Sequence, residues 1–301
     1  MPGNFTTLSV KDNFLGLEDD YSSFDNSKIV LLPCPYEKTT SYGKGTSKGP
    51  EAILHSSHYV EFFDEETKKE ICFEQGIATL KPLNFDNQSD IATLNLIYTT
   101  VKNLIENNKF VVTLGGEHTI SYAPIKAHFE NYKNISVLHF DAHSDLRDEY
   151  EGSKYSHACF AARVAEFTTQ ITQAGIRAQS REEYDFIKEK KINIFYAHQI
   201  RQQGFNKKFI DKVIKTLNKN VYITFDVDYF DPSIMPSTGT PEPNGFLWDE
   251  TMRLLKRVIR KRNLVGFDVV ELSPKPGLTF PDFLTAKLTY KILNYKFYKT
   301  K

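Results

Sequence analysis

An α/β fold built on a mainly parallel sheet with helices on both faces is predicted by two observations. Strand-like apolar runs alternate with helical segments from residue 28 to near the C-terminus, the order expected of parallel strands joined by crossover helices. No composition shift, internal repeat or low-complexity segment interrupts that alternation. The chain of 301 residues therefore reads as a polar arm over 1–27 and one domain over 28–301.

The arm, with its acidic cluster Glu18-Asp19-Asp20 and Ser22, Ser23 and Ser27, is expected to lie irregularly on the surface. Lys28 to Pro33 is the first strand. Pro35 and the run Thr39 to Gly49 mark a long loop, a natural place for substrate contacts. Pro50 suits the first turn of a helix that carries Ile53, Leu54, Val60 and Phe63. Ile71 to Leu80 is a weaker strand. Asp90 to Asn107 is the clearest helix, with Ile91, Leu94, Ile97, Val101, Leu104 and Ile105 on one face. Phe110 to Leu114 is a strand of the buried type. Strand 135–140, a helix from Ser156, a strand near 168–175, helix 181–190 and strand 192–196 follow. Helix 208–217, strand 220–227, helix 249–261, strand 264–270 and a final helix from about 283 to 295 complete the order.

Lys plus Arg and Asp plus Glu both number 38, and no strongly basic face stands out, so neither a nucleic acid nor an acidic membrane is an expected partner. Cys34, Cys72 and Cys159 are widely spaced and odd in number, as suits a reducing compartment rather than a disulfide framework. Met1 to Asp20 has no basic segment leading into an apolar core, and no apolar run approaches membrane-spanning length. A cytoplasmic protein is expected.

Four strands end in residues able to do chemistry, and in open parallel sheets ligands sit outside the carboxyl ends of the strands. His118 follows strand 110–114, and Asp141, His143 and Asp145 follow 135–140. Asp226 and Asp228 close the strand 220–227, and Glu271 follows 264–270. Asp141, His143 and Asp145 alternate with Ala142 and Ser144, so their side chains converge if strand geometry persists. Four carboxylates and two imidazoles are too much negative charge to bury without cations. Two divalent ions balance it, and this donor set favours Mn²⁺ over a thiolate metal. Such a pair, roughly 3.5–4 Å apart, shares a water whose pKa falls toward about 7, which makes hydrolysis the expected reaction class. Gly115-Gly116 lacks the lysine and spacing of a phosphate loop and is read as a tight backbone turn before His118. Asp231-Pro232 is read as the start of a turn.

Gly115-Gly116-Glu117-His118, Asp141-Ala142-His143-Ser144-Asp145 and Phe225-Asp226-Val227-Asp228 through Thr238-Gly239-Thr240-Pro241 resemble three signature segments of the ureohydrolases, the arginase and agmatinase family. The likeness extends to Pro35-Tyr36-Glu37, to Lys48-Gly49-Pro50 and to Val269 through Pro274. It implies a three-layer α/β/α fold of the arginase and deacetylase kind, a centre of two Mn²⁺ per subunit, and hydrolysis of a guanidino group by a metal-bridging hydroxide. By position, it implies that His118, Asp141, Asp145 and Asp226 bind one ion, and that Asp141, His143, Asp226 and Asp228 bind the other. Asp141 and Asp226 would bridge. His157 aligns with the family's proton-shuttling histidine and Glu271 with the carboxylate that holds the guanidinium; Asp145 joins them in catalysis. A planar, cationic guanidinium needs a carboxylate to orient it, and the departing amine needs a proton. Family members are usually homotrimers or homohexamers.

Within the family the segment Asp145 to His157 looks most like agmatinases. Arginase-like members read the α-amino and α-carboxylate groups with an Asn where this chain has Arg147, and the acidic loop that follows suits a distal ammonium. The expected reaction is agmatine to putrescine and urea, with Asp148, Glu149, Glu151 and Thr240 touching the substrate. Guanidinobutyrate, guanidinopropionate, arginine and formimidoylglutamate are the alternatives, because Arg147 suits a carboxylate. Ser237 and Asn244 stand where relatives usually have glycine, and Met235 where alanine is common; each is expected to add bulk beside the pocket. From another class, a non-catalytic metal-stabilised assembly protein would use the six ligands but has no need of His157 and Glu271. A dinuclear phosphoesterase is disfavoured by the missing Asn-His pair and Gly-Asp segment. His139 shares strand parity with Asp141 and is left open between packing and supporting the ligands. His55, His58, His128 and His198 are expected in packing or on the surface, and Cys159 in a buried helix.

Overall fold

In the computed structural model, which describes residues 5–298, eight strands form one sheet: β1 (Ile29–Cys34), β2 (Ile77–Thr79), β3 (Phe110–Gly115), β4 (Ile135–Phe140), β5 (Ile171–Ile176), β6 (Asn193–Tyr196), β7 (Asn220–Asp226) and β8 (Asn263–Val270). Their order is β2-β1-β3-β8-β7-β4-β5-β6, and every pairing is parallel. The helices are α1 (Asp19–Ser22), α2 (Gly49–Ser57), α3 (Ile71–Gln75), α4 (Asp90–Glu106), α5 (Tyr122–Asn131), α6 (Phe160–Ala165), α7 (Arg181–Lys190), α8 (Ala197–Gln203), α9 (Lys207–Thr216), α10 (Trp248–Lys261) and α11 (Phe280–Phe297).

Strand residues two apart supply two separate cores, which is what makes three layers. Ile29 and Leu31 of β1, Val112 of β3, Ile223 and Phe225 of β7 and Phe267 of β8 face α2, α9, α10 and α11. Val30 and Leu32 of β1 and Val111 of β3 face α4 and α5, while Val137 of β4 and Tyr222 of β7 meet α6 and α7. Each buried Leu, Ile or Phe contributes roughly 1.5–3 kcal/mol. Helix ends follow local chemistry. The Ser89 hydroxyl accepts from the Ala92 N–H at the start of α4, and Ser180 with Glu183 forms a capping box on α7. Among the described residues no helix is long and apolar enough to cross a membrane.

Three expectations need correction. Phe14, Leu15 and Leu17 do not lie on the surface: they are buried in the α2–α11 core, with the Phe14 N–H donating to Thr79 and the Leu15 N–H to Ser57. Three apolar side chains in a polar stretch have no periodicity to announce them. The run Ile71 to Leu80 divides at Gly76 into α3 and β2; Gly76 has φ 65°, and a Cβ there would sit 2.8 Å from the Asn26 carbonyl. The connection between β3 and β4 holds a helix, α5, that the sequence reading passed over, because Pro124, Lys126 and His128 blur its apolar face. Residues 1–4 of the expected arm lie outside the described residues.

The sheet order matters most for function. β3, β8, β7 and β4 are consecutive neighbours, and they are the four strands whose carboxyl ends carry His118, Glu271, Asp226 with Asp228, and Asp141 to Asp145.

Candidate active site

β4 stops at Phe140, so strand geometry does not persist through Asp145 as expected. Convergence comes from turns that the carboxylates themselves hold. The His143 N–H donates to Asp141 Oδ1 at 2.5 Å, the Ala142 N–H to Asp228 Oδ1 at 2.9 Å and the Asp228 N–H to Asp226 Oδ1 at 2.8 Å. Asp145 turns inward with φ 51°, and Glu271 with φ 64°. A left-handed backbone at a non-glycine costs about 1–3 kcal/mol, which the surroundings repay in both cases. The Asp145 carbonyl accepts from Ala161 and Ala162. The Glu271 N–H donates to the Gly116 carbonyl, and its Oε1 accepts the His118 N–H at 2.6 Å.

The side chains form two groups joined by Asp141. His118 Nδ1 lies 3.1 Å from Asp141 Oδ2, 3.2 Å from Asp145 Oδ2 and 3.3 Å from Asp226 Oδ2. His143 Nδ1 lies 2.9 Å from Asp228 Oδ2 and 3.6 Å from Asp141 Oδ1. His118 Nδ1 is buried without a hydrogen-bond partner, because its other nitrogen, Nε2, is engaged by Thr224 Oγ1 at 2.9 Å. The Thr224 hydroxyl donates to Asp268 Oδ1 at 2.6 Å, so Nε2 carries a proton and Nδ1 is the nitrogen left facing the three carboxylates.

Electrostatics point the same way. Burial, then the charges of Asp228 and Asp141, hold Asp226 well above the usual carboxylate range. Burial and Asp141 push Asp145 up to about 6. Against burial, His118 is raised by Asp141, Asp145 and Asp226, and His143 by Asp228 and Asp141. Asp141 is lowered, also against burial, by His139, His118 and His143. The raised Asp226 and Asp145 and the raised imidazoles of His118 and His143 all reflect carboxylates crowded in a buried place. An imidazole nitrogen without a hydrogen-bond partner among buried carboxylates is a donor set suited to divalent cations, and these residues would fit two such ions, with Asp141 standing between the two groups.

A cavity of about 340 Å³ opens above this cluster. Its walls include His143, Asp145, Asp226, Asp228, His157, Glu271 and Thr240, together with Tyr42, Arg147, Tyr150 and Glu242. His157 is held below its ordinary range by burial, with His143 pushing in the same direction. Burial and the Glu117 charge raise Glu271. Of the four residues expected to touch substrate, Thr240 lines the cavity; Asp148, Glu149 and Glu151 are not among the wall residues. Asp148 pairs instead with Arg163 Nη2 at 2.6 Å and with Lys154 at 3.4 Å. Apart from the donor cluster, Glu271 and the capping residue Glu183, the wall carries the carboxylate of Glu242, 37% exposed and 3.8 Å from His143 Nε2.

His139 supports the ligands. Gln173 Nε2 donates to the Ser144 carbonyl at 2.6 Å and lies 3.0 Å from His139 Nδ1. An acceptor cannot face that carbonyl, so the amide orientation is fixed, Nδ1 accepts, and Nε2–H donates to Asp141 Oδ2 at 2.7 Å. Gly116 is required by close approach: a Cβ there would lie 1.9 Å from the Tyr36 carbonyl. Asp231 caps its turn by accepting from Ser233 and Gly245. Met235, Ser237 and Asn244 are not wall residues of the cavity. Met235 packs in the core, Ser237 is buried, and Asn244 takes φ 67°, which asparagine tolerates better than most residues. Sequence reasoning missed Thr39, Glu117 as a side chain, Thr224, Asp268 and Glu242. The signals available were Thr39's place in the loop marked for substrate contacts, Glu242's place in a rigid hydroxyl-rich loop and Glu117's place beside His118.

Comparison with known proteins accords with this geometry. The arginase-family model matches residues 27–294. The N(1)-aminopropylagmatine ureohydrolase of Synechocystis sp. is 38% identical over 280 residues, spanning 91% of this chain and 90% of its own. The agmatinase of Pyrococcus horikoshii is 31% identical over 288 residues, spanning 91% and 96%. Among solved structures, the agmatine ureohydrolase of Thermoplasma volcanium superposes with a TM-score of 0.85 at 29% identity, covering 96% of this chain and 95% of that one. With its donor cluster at the carboxyl ends of four adjacent strands and its matched length, the chain belongs to the arginase family, as a ureohydrolase acting on guanidino C–N bonds.

Proposed function

We propose that the substrate is a linear guanidino compound with a cationic amine tail, agmatine or its N(1)-aminopropyl derivative, cleaved to urea and the matching amine with two Mn²⁺ bound. The observation that carries the reading is the convergence of the donor cluster with His157 and Glu271 on one cavity. The names of the relatives at 38% and 31% identity support the amine tail, and so does Glu242. Its carboxylate stands on the cavity wall without a hydrogen bond among the described residues, and an ammonium there gains both a charge and a donor site.

His118, Asp141, Asp145 and Asp226 hold one ion in this reading, and Asp141, His143, Asp226 and Asp228 the other. Two ions so placed supply a water acidic enough to react as hydroxide at neutral pH. Glu271 orients the guanidinium with its carbon toward the cluster, Asp145 holds the proton shed by the attacking water, and His157 delivers a proton to the departing amine. Thr240 adds a polar wall contact. Assembly as a trimer or hexamer belongs to the same reading, and sedimentation tests it.

A second reading rests on Arg147. Its guanidinium lines the same cavity, packs 5.1 Å from the Tyr150 ring centroid and has no carboxylate partner among the described residues, which suits an acid-bearing substrate such as guanidinobutyrate. Urea release by the Mn²⁺-loaded protein from agmatine, N(1)-aminopropylagmatine, arginine and guanidinobutyrate separates the two. Urea is expected from the first two, and Glu242→Gln is expected to raise their KM about tenfold, the worth of one charged hydrogen bond. Urea from guanidinobutyrate alone overturns the amine-tail reading in favour of Arg147.

A further inference from the structure

His157 has a support that neither the family likeness nor the ligand set accounts for. Its backbone N–H donates to Thr39 Oγ1 at 3.1 Å, and its Nδ1 lies 3.3 Å from the same oxygen. The Thr39 hydroxyl is 2.7 Å from Glu117 Oε1. Glu117 is completely buried. Its Oε2 accepts the N–H groups of Lys38 and Thr39, both at 2.7 Å, and its Oε1 also takes the Thr119 hydroxyl at 2.6 Å. One carboxylate thus fastens the loop after β1 to the turn that precedes His118.

The direction of these hydrogen bonds sets the tautomer of His157. A threonine hydroxyl has one hydrogen and two lone pairs. The hydrogen goes to the Glu117 carboxylate, and one lone pair takes the His157 backbone N–H. What remains for Nδ1 is a lone pair, so Nδ1 must carry a proton. Nε2 is then the nitrogen free to exchange protons. The Tyr150 ring closes on the imidazole edge-on, with centroids 5.8 Å apart, and limits its rotation. Among the described residues the other hydroxyl within reach of Nδ1 is Ser156, at 3.5 Å a longer contact than the 3.3 Å to Thr39.

We propose that Thr39, itself anchored by Glu117, is a positioning residue that locks His157 in its Nδ1–H tautomer and presents Nε2 to the cavity. This rests on the reading of His157 as the proton shuttle, so the test needs one readout independent of turnover. Protein labelled with ¹⁵N-histidine and loaded with diamagnetic Zn²⁺ gives that readout, its His157 resonances identified by loss in His157→Gln. Wild-type protein and Thr39→Ser are expected to show Nδ1–H. Thr39→Val, which keeps the shape and loses the hydroxyl, is expected to show mixed tautomers, and Ser156→Ala no change. In Mn²⁺-loaded protein Thr39→Val is expected to lower kcat by about 10- to 100-fold at unchanged KM and metal content, with most of the loss restored in Thr39→Ser. An unchanged tautomer in Thr39→Val, or an Nε2–H tautomer in wild type, overturns the proposal. A tautomer that changes while kcat does not leaves the positioning role standing and removes the shuttle role from His157.

Discussion

Two histidines of this site are each backed by a threonine and then a carboxylate, yet the two chains are built from different material. Behind His118 stand Thr224 and Asp268, paired directly across β7 and β8, and Asp268 receives a further hydroxyl from Tyr222 at 2.9 Å. That chain is part of the sheet and is sealed from water. Behind His157 stand Thr39, on the loop after β1, and Glu117, on a turn. Strand pairing places the first threonine; two backbone N–H groups donated to one carboxylate place the second. The difference separates two duties. If His118 binds a cation and His157 exchanges protons, as proposed, the ligand is set by the most rigid part of the fold, while the proton-exchanging group stands where the loops that wall the cavity hold it.

The comparison breaks most severely if charge is removed from the sealed end. Asp226→Asn is expected to abolish metal binding and, with several kcal/mol of transition-state stabilisation lost, to reduce urea release roughly a thousandfold. In metal-free protein the same change is expected to raise the melting temperature by a few degrees, because one of the mutually repelling buried carboxylates becomes neutral. Calorimetry with and without Mn²⁺ checks both signs, and a lower melting temperature in both states would contradict the account of the cluster. Next in size is Thr224→Val. It is expected to weaken metal binding by about 10- to 100-fold while leaving kcat at saturating Mn²⁺ close to wild type, the reverse of the pattern expected for Thr39→Val. Metal titration alongside kinetics tells them apart; identical patterns would mean that the two chains do the same work.

The clustering of the acidic and histidine side chains was legible in the sequence because its evidence is local. Asp141, His143 and Asp145, and again Asp226 and Asp228, stand two apart where an apolar strand ends, and strand ends are where a parallel sheet displays its chemistry. What joins these residues was not legible. His118 meets Thr224 across 106 positions and Thr39 meets His157 across 118, and no spacing rule reaches that far without the strand order. The expected substrate acids show a different limit: Asp148, Glu149 and Glu151 have the right charge in the right loop, but charge says nothing of direction, and Asp148 turns to Arg163. The same holds for Phe14, Leu15 and Leu17, whose burial depends on a neighbouring core that their own stretch does not reveal.

A third imidazole sharpens the comparison at its smallest scale. His128 on α5 is buried with neither threonine nor carboxylate behind it: its Nδ1–H donates to the Pro124 carbonyl at 2.7 Å, and Nε2 has no partner. Burial lowers its pKa from 6.5 to about 4. Between those values the unfolded chain binds a proton that the native protein does not, so this group's contribution to stability is complete above about pH 6.5 and is lost progressively as pH falls toward 4. The loss amounts to about 3 kcal/mol. Urea denaturation of wild type and His128→Leu at pH 7 and pH 5 reads about 2 kcal/mol of this loss as the difference between their pH dependences; equal dependence would mean that His128 is not neutral in the fold.

The sheet order carries a consequence for biosynthesis. β8 leaves the ribosome last among the strands, yet it lies between β3 and β7. A nascent chain that has emerged through Asp228 already possesses all six candidate donors, but they sit on two half-sheets, β2-β1-β3 and β7-β4-β5-β6, whose facing edges are unpaired. Long-range parallel pairing of this kind is slow, and open strand edges are templates for other chains. The donor cluster is therefore brought together only by insertion of the final strand, and until β8 arrives those edges are open to pairing with another chain.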